Sequence, residues 1–507
     1  MKGVQMASGA NKVFYIPLQH PIPLDPDSPQ MIWDPTALPS RTHDSFANNL
    51  KLIGDAKRIT KKYGKQMEQF YGNKEMPALS RVNSLDFGQS LPWEWMHLFA
   101  ENIIPNMMDL WTGRFKGLDE GTEHYGISMD IWEEIGIETA ASTINIPSAF
   151  VRFMGNVAES RATFTAESYA FWFMYLAPYL LAGRLADPYY QHFLGLVAIM
   201  KITLQFEFTV EQIDQLETRI IQWVSDYERY YYQYDDERLS VCLLVIHGLL
   251  HIPDNIRFCG PMCHTWSFYM ERYCGFLKQG LRSRSQPWRN LDERVKHFAY
   301  ISQLQAKYDL HDELPTVSKY DISQSEKIYQ EYPLSILRTP HYPSYKPNED
   351  LRNKLAVYIN TLIGRQVQHI SRKLPQIFPA WGAVRVKDGG DTIRSAMTRG
   401  GRRQERNATF IRYEIITGPN LQRTIFYGRL EHILECKIPD DEQQFWGNYS
   451  GKLLLLAEIT PCQTFKKDAT TQPVTYTQEL RSVVVDLRTI QNVVGRIQVG
   501  GRWGIID

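Results

Sequence analysis

Residues 241–284 read VCLLVIHGLLHIPDNIRFCGPMCHTWSFYMERYCGFLKQGLRSR, and the reading of this stretch sets the reading of the chain around it. Its first part is an apolar helical pattern carrying His247 and His251 four residues apart, so both imidazoles leave one face. Pro253 and Asp254 are expected to stop that helix, since proline lacks a donor and turns the residue before it away from helix. Gly260-Pro261 marks a loop, and a second helix follows on which Trp266, Met270, Tyr273 and Leu277 share an apolar face with Glu271 at its edge. A carboxylate in so aromatic a segment has two readings. It is a surface residue paired with Arg272 or Lys278, or a metal-binding acid held rigidly beside a packed core.

The run Ile246-His247-Gly-Leu-Leu-His251-Ile-Pro253, with Gly260-Pro261, Trp266 and Met270-Glu271-Arg272-Tyr-Cys274-Gly275, resembles the transposases of CACTA-like elements, in particular the fungal Plavaka group. The similarity extends from about residue 13 to the end of the chain. The resemblance implies that Glu271 is the last acid of a D-D-E triad that binds Mg2+ or Mn2+. It implies that residues 95–255 are the helical insertion of an RNase H-like domain, and that the partner is double-stranded DNA in the nucleus.

A second informative region runs from Ser84 to Gly113, where Pro92 leads into a helix that places Glu94 and His97 one turn apart. Such a pair shares a metal or a proton, or forms a plain buried hydrogen bond. The Plavaka-like pattern here is Asp-x-x-Met-His followed by Glu-Asn; this chain keeps Met96-His97 and Glu101-Asn102 but has Glu94 in place of the Asp. The first two acids of the triad belong on adjacent strands, because two cations must activate water and stabilise the leaving oxygen. Upstream of Glu94 the candidates are Asp25, Asp27, Asp34, Asp44, Asp55 and Asp86, and none ends an alternating apolar strand. The chain therefore reads as the C-terminal half of a transposase, with self-association or a missing N-terminal half as possible completions. Recombinases of this type use paired histidines with two cysteines to hold structural Zn2+; here Cys259 and Cys263 offer the substitute spacing His-x3-His-x7-Cys-x3-Cys, and ordinary packed histidines are the plain alternative.

With 507 residues, 43% hydrophobic and 22% charged, the chain is long enough for two or three cored domains and is not disordered in composition. Basic and acidic residues balance at 56 each, so nucleic acid must be held by a local patch rather than by net charge. Six cysteines are scattered without a framework, which reads as reduced thiols in an intracellular protein. The apolar window Tyr169–Ala182 is broken by Pro178 and too short to span a bilayer, so no membrane partner is expected, nor a small-molecule substrate.

Two basic stretches are candidate DNA contacts: Arg282 and Arg284 after the Glu271 helix, and a glycine-broken loop with Arg399, Arg402, Arg403 and Arg406. A solvated helix end and a solvated loop are the plain alternatives.

Residues 1–83 read as a proline-rich arm and a polar helix from Asp44 to about Tyr71. Residues 84–310 read as a helical body in which Ile213, Leu216, Ile220, Trp223 and Tyr227 recur at helical spacing. Residues 311–378 read as a proline-punctuated linker and a helix, and from Trp381 the period changes to two, giving a β-rich domain over 379–507. The expected fold is α+β multidomain: a large all-helical body carrying the RNase H-like insertion and the Glu271 helix, then a small β-barrel or β-sandwich. Three functions follow: a transposase-derived DNA-binding protein lacking two metal acids, an active metal-dependent strand-transfer enzyme completed by unrecognised acids or a second chain, or a protein-interaction scaffold.

Overall fold

The helix Val210–Tyr227 shows how the helical part of the sequence folds. Ile213, Leu216, Ile220, Trp223 and Tyr227 are all buried along one stripe. Its start is fixed by a capping box in which Thr209 and Gln212 satisfy each other's backbone N–H groups. The helix then widens into a π-helical turn, Glu228–Tyr232.

The computed structural model describes residues 4–5, 14–23, 25, 27–115, 118, 124–281, 285–310, 313, 325–387, 390–398, 406–417 and 422–507. Helix takes 47% and strand 19%, so the protein is mixed α and β, as expected at that level. The chain forms two compact units, residues 1–132, 165–174 and 181–301, and residues 133–164, 175–180 and 302–507. Among the described residues no helix is long and apolar enough to cross a membrane.

The first unit is helical around large aromatics. Trp95 and Trp111 are both 1% exposed or less, and each indole N–H has a partner: Thr203 Oγ1 at 3.0 Å and Tyr231 OH at 3.3 Å. Burying an indole otherwise leaves its donor unpaid. The proline-rich arm lies on this unit: the Leu18 and Gln19 amides donate to the Glu228 carboxylate, and Ile16 N–H to Cys242 O. The polar helix expected over 44–71 is two helices, His43–Ile59 and Lys61–Tyr71. Thr60, in extended conformation, ends the first and caps the second by accepting from Tyr63 N–H.

Pro253 corrects a sequence expectation. It does not stop the histidine helix; a break at residues 250–251 separates Leu244–Leu249 from Ile252–Cys259, and Pro253 lies in the first turn of the latter. There its missing N–H costs nothing.

The second unit is built on a curled antiparallel half-barrel. Numbering strands in chain order after the short pair β1 (Val4–Gln5) and β2 (Phe14–Tyr15), it comprises β3 (Lys327–Tyr329), β4 (Tyr332–Tyr345), β5 (Phe378–Val386), β6 (Thr392–Arg394), β7 (Phe410–Thr417), β8 (Gln422–Lys437), β9 (Leu453–Pro461), β11 (Val483–Asp486) and β12 (Ile490–Val493). The main order is β11-β9-β8-β5-β4-β3, with β6 on β5 and β12 reaching β8 through β7. A separate three-stranded sheet joins β10 (Thr475–Tyr476), β14 (Arg502–Ile506) and β13 (Gly495–Val499).

Both faces of the large sheet are buried. Ile433, Leu455, Ala457 and Val485 belong to one core, while Leu434, Leu454, Leu456 and Val484 belong to another that is covered by the helix Glu349–Ile363. Successive strand residues point to opposite faces, so the run Leu453–Leu456 is apolar at every position instead of at alternate ones.

The expected linker past Pro333, Pro340 and Pro343 is strand β4. Its ladder with β5 skips between Arg338 and His341 and again between Tyr342 and Tyr345, and Pro340 and Pro343 fall in those two irregularities. Proline is tolerated in a strand where the ladder asks for no N–H. Gly382 faces this segment: a Cβ there would stand 2.5 Å from the Pro340 ring and from Thr398, so only glycine fits.

Candidate functional site

Glu94 precedes the π-helical turn Met96–Ile103 and acts as its cap. Oε1 accepts from Met96 N–H at 2.9 Å, and Oε2 from His97 N–H at 2.9 Å. Oε2 also meets His97 Nδ1 at 2.5 Å, and Oε1 accepts from Ser267 N–H at 2.6 Å. Burial pushes this carboxyl up, but the backbone donors and the His97 ring outweigh it and hold it below the usual carboxylate range. The Glu94 hydrogen bond in turn raises His97, against a smaller lowering by burial and with help from Glu101 and Glu271.

Ser267 begins the turn that leads into the helix Phe268–Lys278, and Glu271 N–H bonds to Ser267 O at 2.9 Å. Glu94 thereby fixes the start of the helix that carries Glu271. Glu271 is exposed and close enough to His97 to act on its charge. Among the described residues it makes no ion pair with Arg272 or Lys278. The expected packed core beside it is not formed: no residue of this helix is buried, and Met270 and Tyr273 are 50% and 43% exposed.

The result is the His97 ring among three acidic side chains, Glu94, Glu101 and Glu271, beside a cleft of about 320 Å3 lined by Pro92, Trp93, Glu94, His97 and Asn102. Both Glu94 oxygens accept N–H bonds, Oε1 from Met96 and Ser267 and Oε2 from His97. Four of the six upstream aspartates are engaged elsewhere. Asp25 binds Asp27 N–H and Ser28, Asp34 binds Thr36, Asp55 pairs with Arg58, and Asp86 holds Gly88 N–H.

The structure brings His247 and His251 together, Nε2 to Nε2 at 3.0 Å. Burial, and then the His251 charge, push His247 down to about 3, and burial also lowers His251. Both are neutral, and one donates to the other. Cys259 and Cys263 do not join them: their thiols donate to Gln89 O and Gln205 O. The four residues do not fit a tetrahedral zinc, and no group of three or more His, Cys, Asp or Glu among the described residues is arranged to hold a metal.

Arg282, Arg284, Arg399, Arg402 and Arg403 lie outside the described residues. Arg406 is described, and its guanidinium donates to Val151 O. Partial burial lowers its pKa. The Ser267 link to Glu94 had no sequence signal, because a backbone N–H carries no residue signature. Scanned against models of protein families, curated proteins and solved structures, the chain matches none.

Proposed function

We propose that this chain is a transposase-derived DNA-binding protein whose D-D-E metal centre is incomplete, the other two acids not being among these residues. In this reading the first unit is the helical insertion and Glu271 helix of an RNase H-like domain, and the half-barrel unit carries the arginine loop. The observation that carries it is the placement of Glu271. The acid singled out by the resemblance stands exposed on a helix pinned by Glu94, beside His97, and among the described residues no group of three or more His, Cys, Asp or Glu is arranged to hold a metal.

DNA affinity would come from the arginines of residues 399–403 and 282–284, each phosphate contact steepening the salt dependence. The test is fluorescence anisotropy with a duplex over a salt series, comparing the wild type with Arg399→Ala/Arg402→Ala/Arg403→Ala. The triple variant should lose up to about three of the phosphate contacts and flatten the log–log slope accordingly. No duplex affinity at low salt refutes the function, and an unchanged slope in the variant refutes the loop's part in it. Magnesium- or manganese-dependent nicking that disappears in Glu271→Gln would overturn the incomplete centre in favour of an active enzyme.

A further inference from the structure

The helices Asp187–Thr203 and Val210–Tyr227 enclose a groove of about 890 Å3, a size suited to a small ligand. Its inner wall is a stacked pair: the His192 and Trp223 rings lie 4.4 Å apart at 12°. Gly195 makes room for the indole, since a Cβ there would come 3.3 Å from Trp223 Cδ1. The pair is locked reciprocally, Trp223 Nε1–H donating to His192 O at 2.9 Å and His192 Nε2 meeting Trp223 O at 3.0 Å.

That lock decides the tautomer. A carbonyl only accepts, so Nε2 carries the hydrogen. Burial pushes His192 down to about 4, so the ring is neutral and Nδ1 is a bare lone pair. His192 is 6% exposed, lines the groove, and its Nδ1 has no hydrogen-bond partner. A buried acceptor left unmet is costly, and here it is a demand for a donor. The rim supplies the Gln215 amide and the Arg219 guanidinium, while the Gln222 amide is held by Asp226, Nε2 donating to Oδ2 at 3.0 Å. The Tyr230 ring, on the rim, stands edge-on to His192 at 5.4 Å.

We propose that this groove is a binding site for an adenine ring. An exocyclic amine donates to His192 Nδ1, a glutamine amide reads the ring edge in the two-bond manner adenine permits, Trp223 and Tyr230 supply aromatic surface, and Arg219 meets a phosphate. The adenine comes either from a free nucleotide or from a base of a single strand. The proposal is independent of duplex binding, which uses other residues.

Isothermal titration with adenosine 5′-monophosphate and, separately, with single-stranded oligo(dA) tests it, with thymidine 5′-monophosphate as the control base. Adenosine monophosphate should bind at least tenfold more tightly than the thymidine nucleotide. Gln215→Ala should weaken binding about tenfold, and Thr218→Trp, an exposed rim position that fills the groove, should abolish it while circular dichroism and melting stay unchanged. Binding of the oligonucleotide alone assigns the site to a strand, and of the mononucleotide alone to a free nucleotide. Binding of neither at millimolar concentration, equal binding of both bases, or undiminished binding in Thr218→Trp overturns it.

Discussion

Glu228→Gln isolates a buried charge on which the arm of the first unit rests. The carboxyl is 3% exposed and takes the Leu18 and Gln19 amides at 2.5 and 3.1 Å. Burial raises it from 4.5 to about 7 even though those two donors favour the charged form. The folded pKa lies above the unfolded one, so this group's contribution to stability is fully present below pH 4.5 and is lost as pH rises through 7. The gap corresponds to about 3 kcal/mol at ~1.4 kcal/mol per pH unit. Glutamine does not titrate, and its NH2 leaves one arm amide facing a donor, a pH-independent cost of about 1–3 kcal/mol. Urea unfolding of both proteins at pH 4.5 and pH 8 should show the wild-type advantage shrinking by about 3 kcal/mol between the two. The protection of the Leu18 and Gln19 amides, taken relative to base-catalysed exchange of a free amide at each pH, should fall over the same interval only in the wild type. A difference that stays flat, or widens as pH rises, refutes the reasoning.

Other expectations are more local. By NMR, His97 should titrate above the ordinary 6.5, and Glu94→Gln should bring it down; an unmoved midpoint would mean that Glu94 is not what holds the proton. Glu94→Ala removes a helix cap and the Ser267 tether, and should lower thermal stability by about 1–2 kcal/mol. Leu455→Ala opens a cavity at a fully buried position of β9 and should cost about 2–5 kcal/mol in denaturant unfolding. Gly382→Val meets Pro340 and Thr398 and should destabilise the half-barrel, with Pro340→Ala restoring part of the loss in the same melting assay.

Where burial repeats with the period of its element, the sequence was readable. The helix at 210–227 follows from spacing, and strands were expected within β7, β8 and β9, although β8 is one long strand where two short ones were expected. Strand β4 was hidden because its prolines spoke for a loop, and only the ladder partner reveals that they fall where no N–H is required. The Pro253 helix was misread for a related reason: proline marks a helix start as readily as a stop, and the break before it leaves no residue signature. In the candidate site, Glu94 and His97 were legible as a one-turn pair. The Ser267 tether and the commitment of Cys259 and Cys263 to separate carbonyls were not, since both depend on contacts between segments distant in the chain.

The sheet that is greasy on both sides has a problem of alignment. In β8 and β9 a slip by one residue would exchange one leucine for another, so water-avoidance hardly distinguishes right from wrong neighbours. The distinction falls to the few charges sealed among them. Glu435 is met by the Trp381 indole and the Tyr329 hydroxyl, and Glu458 by His432 directly across the ladder at 2.7 Å. A misaligned pairing would strand both carboxylates in apolar surroundings, so these two acids work as a combination lock on a zip whose teeth are otherwise alike.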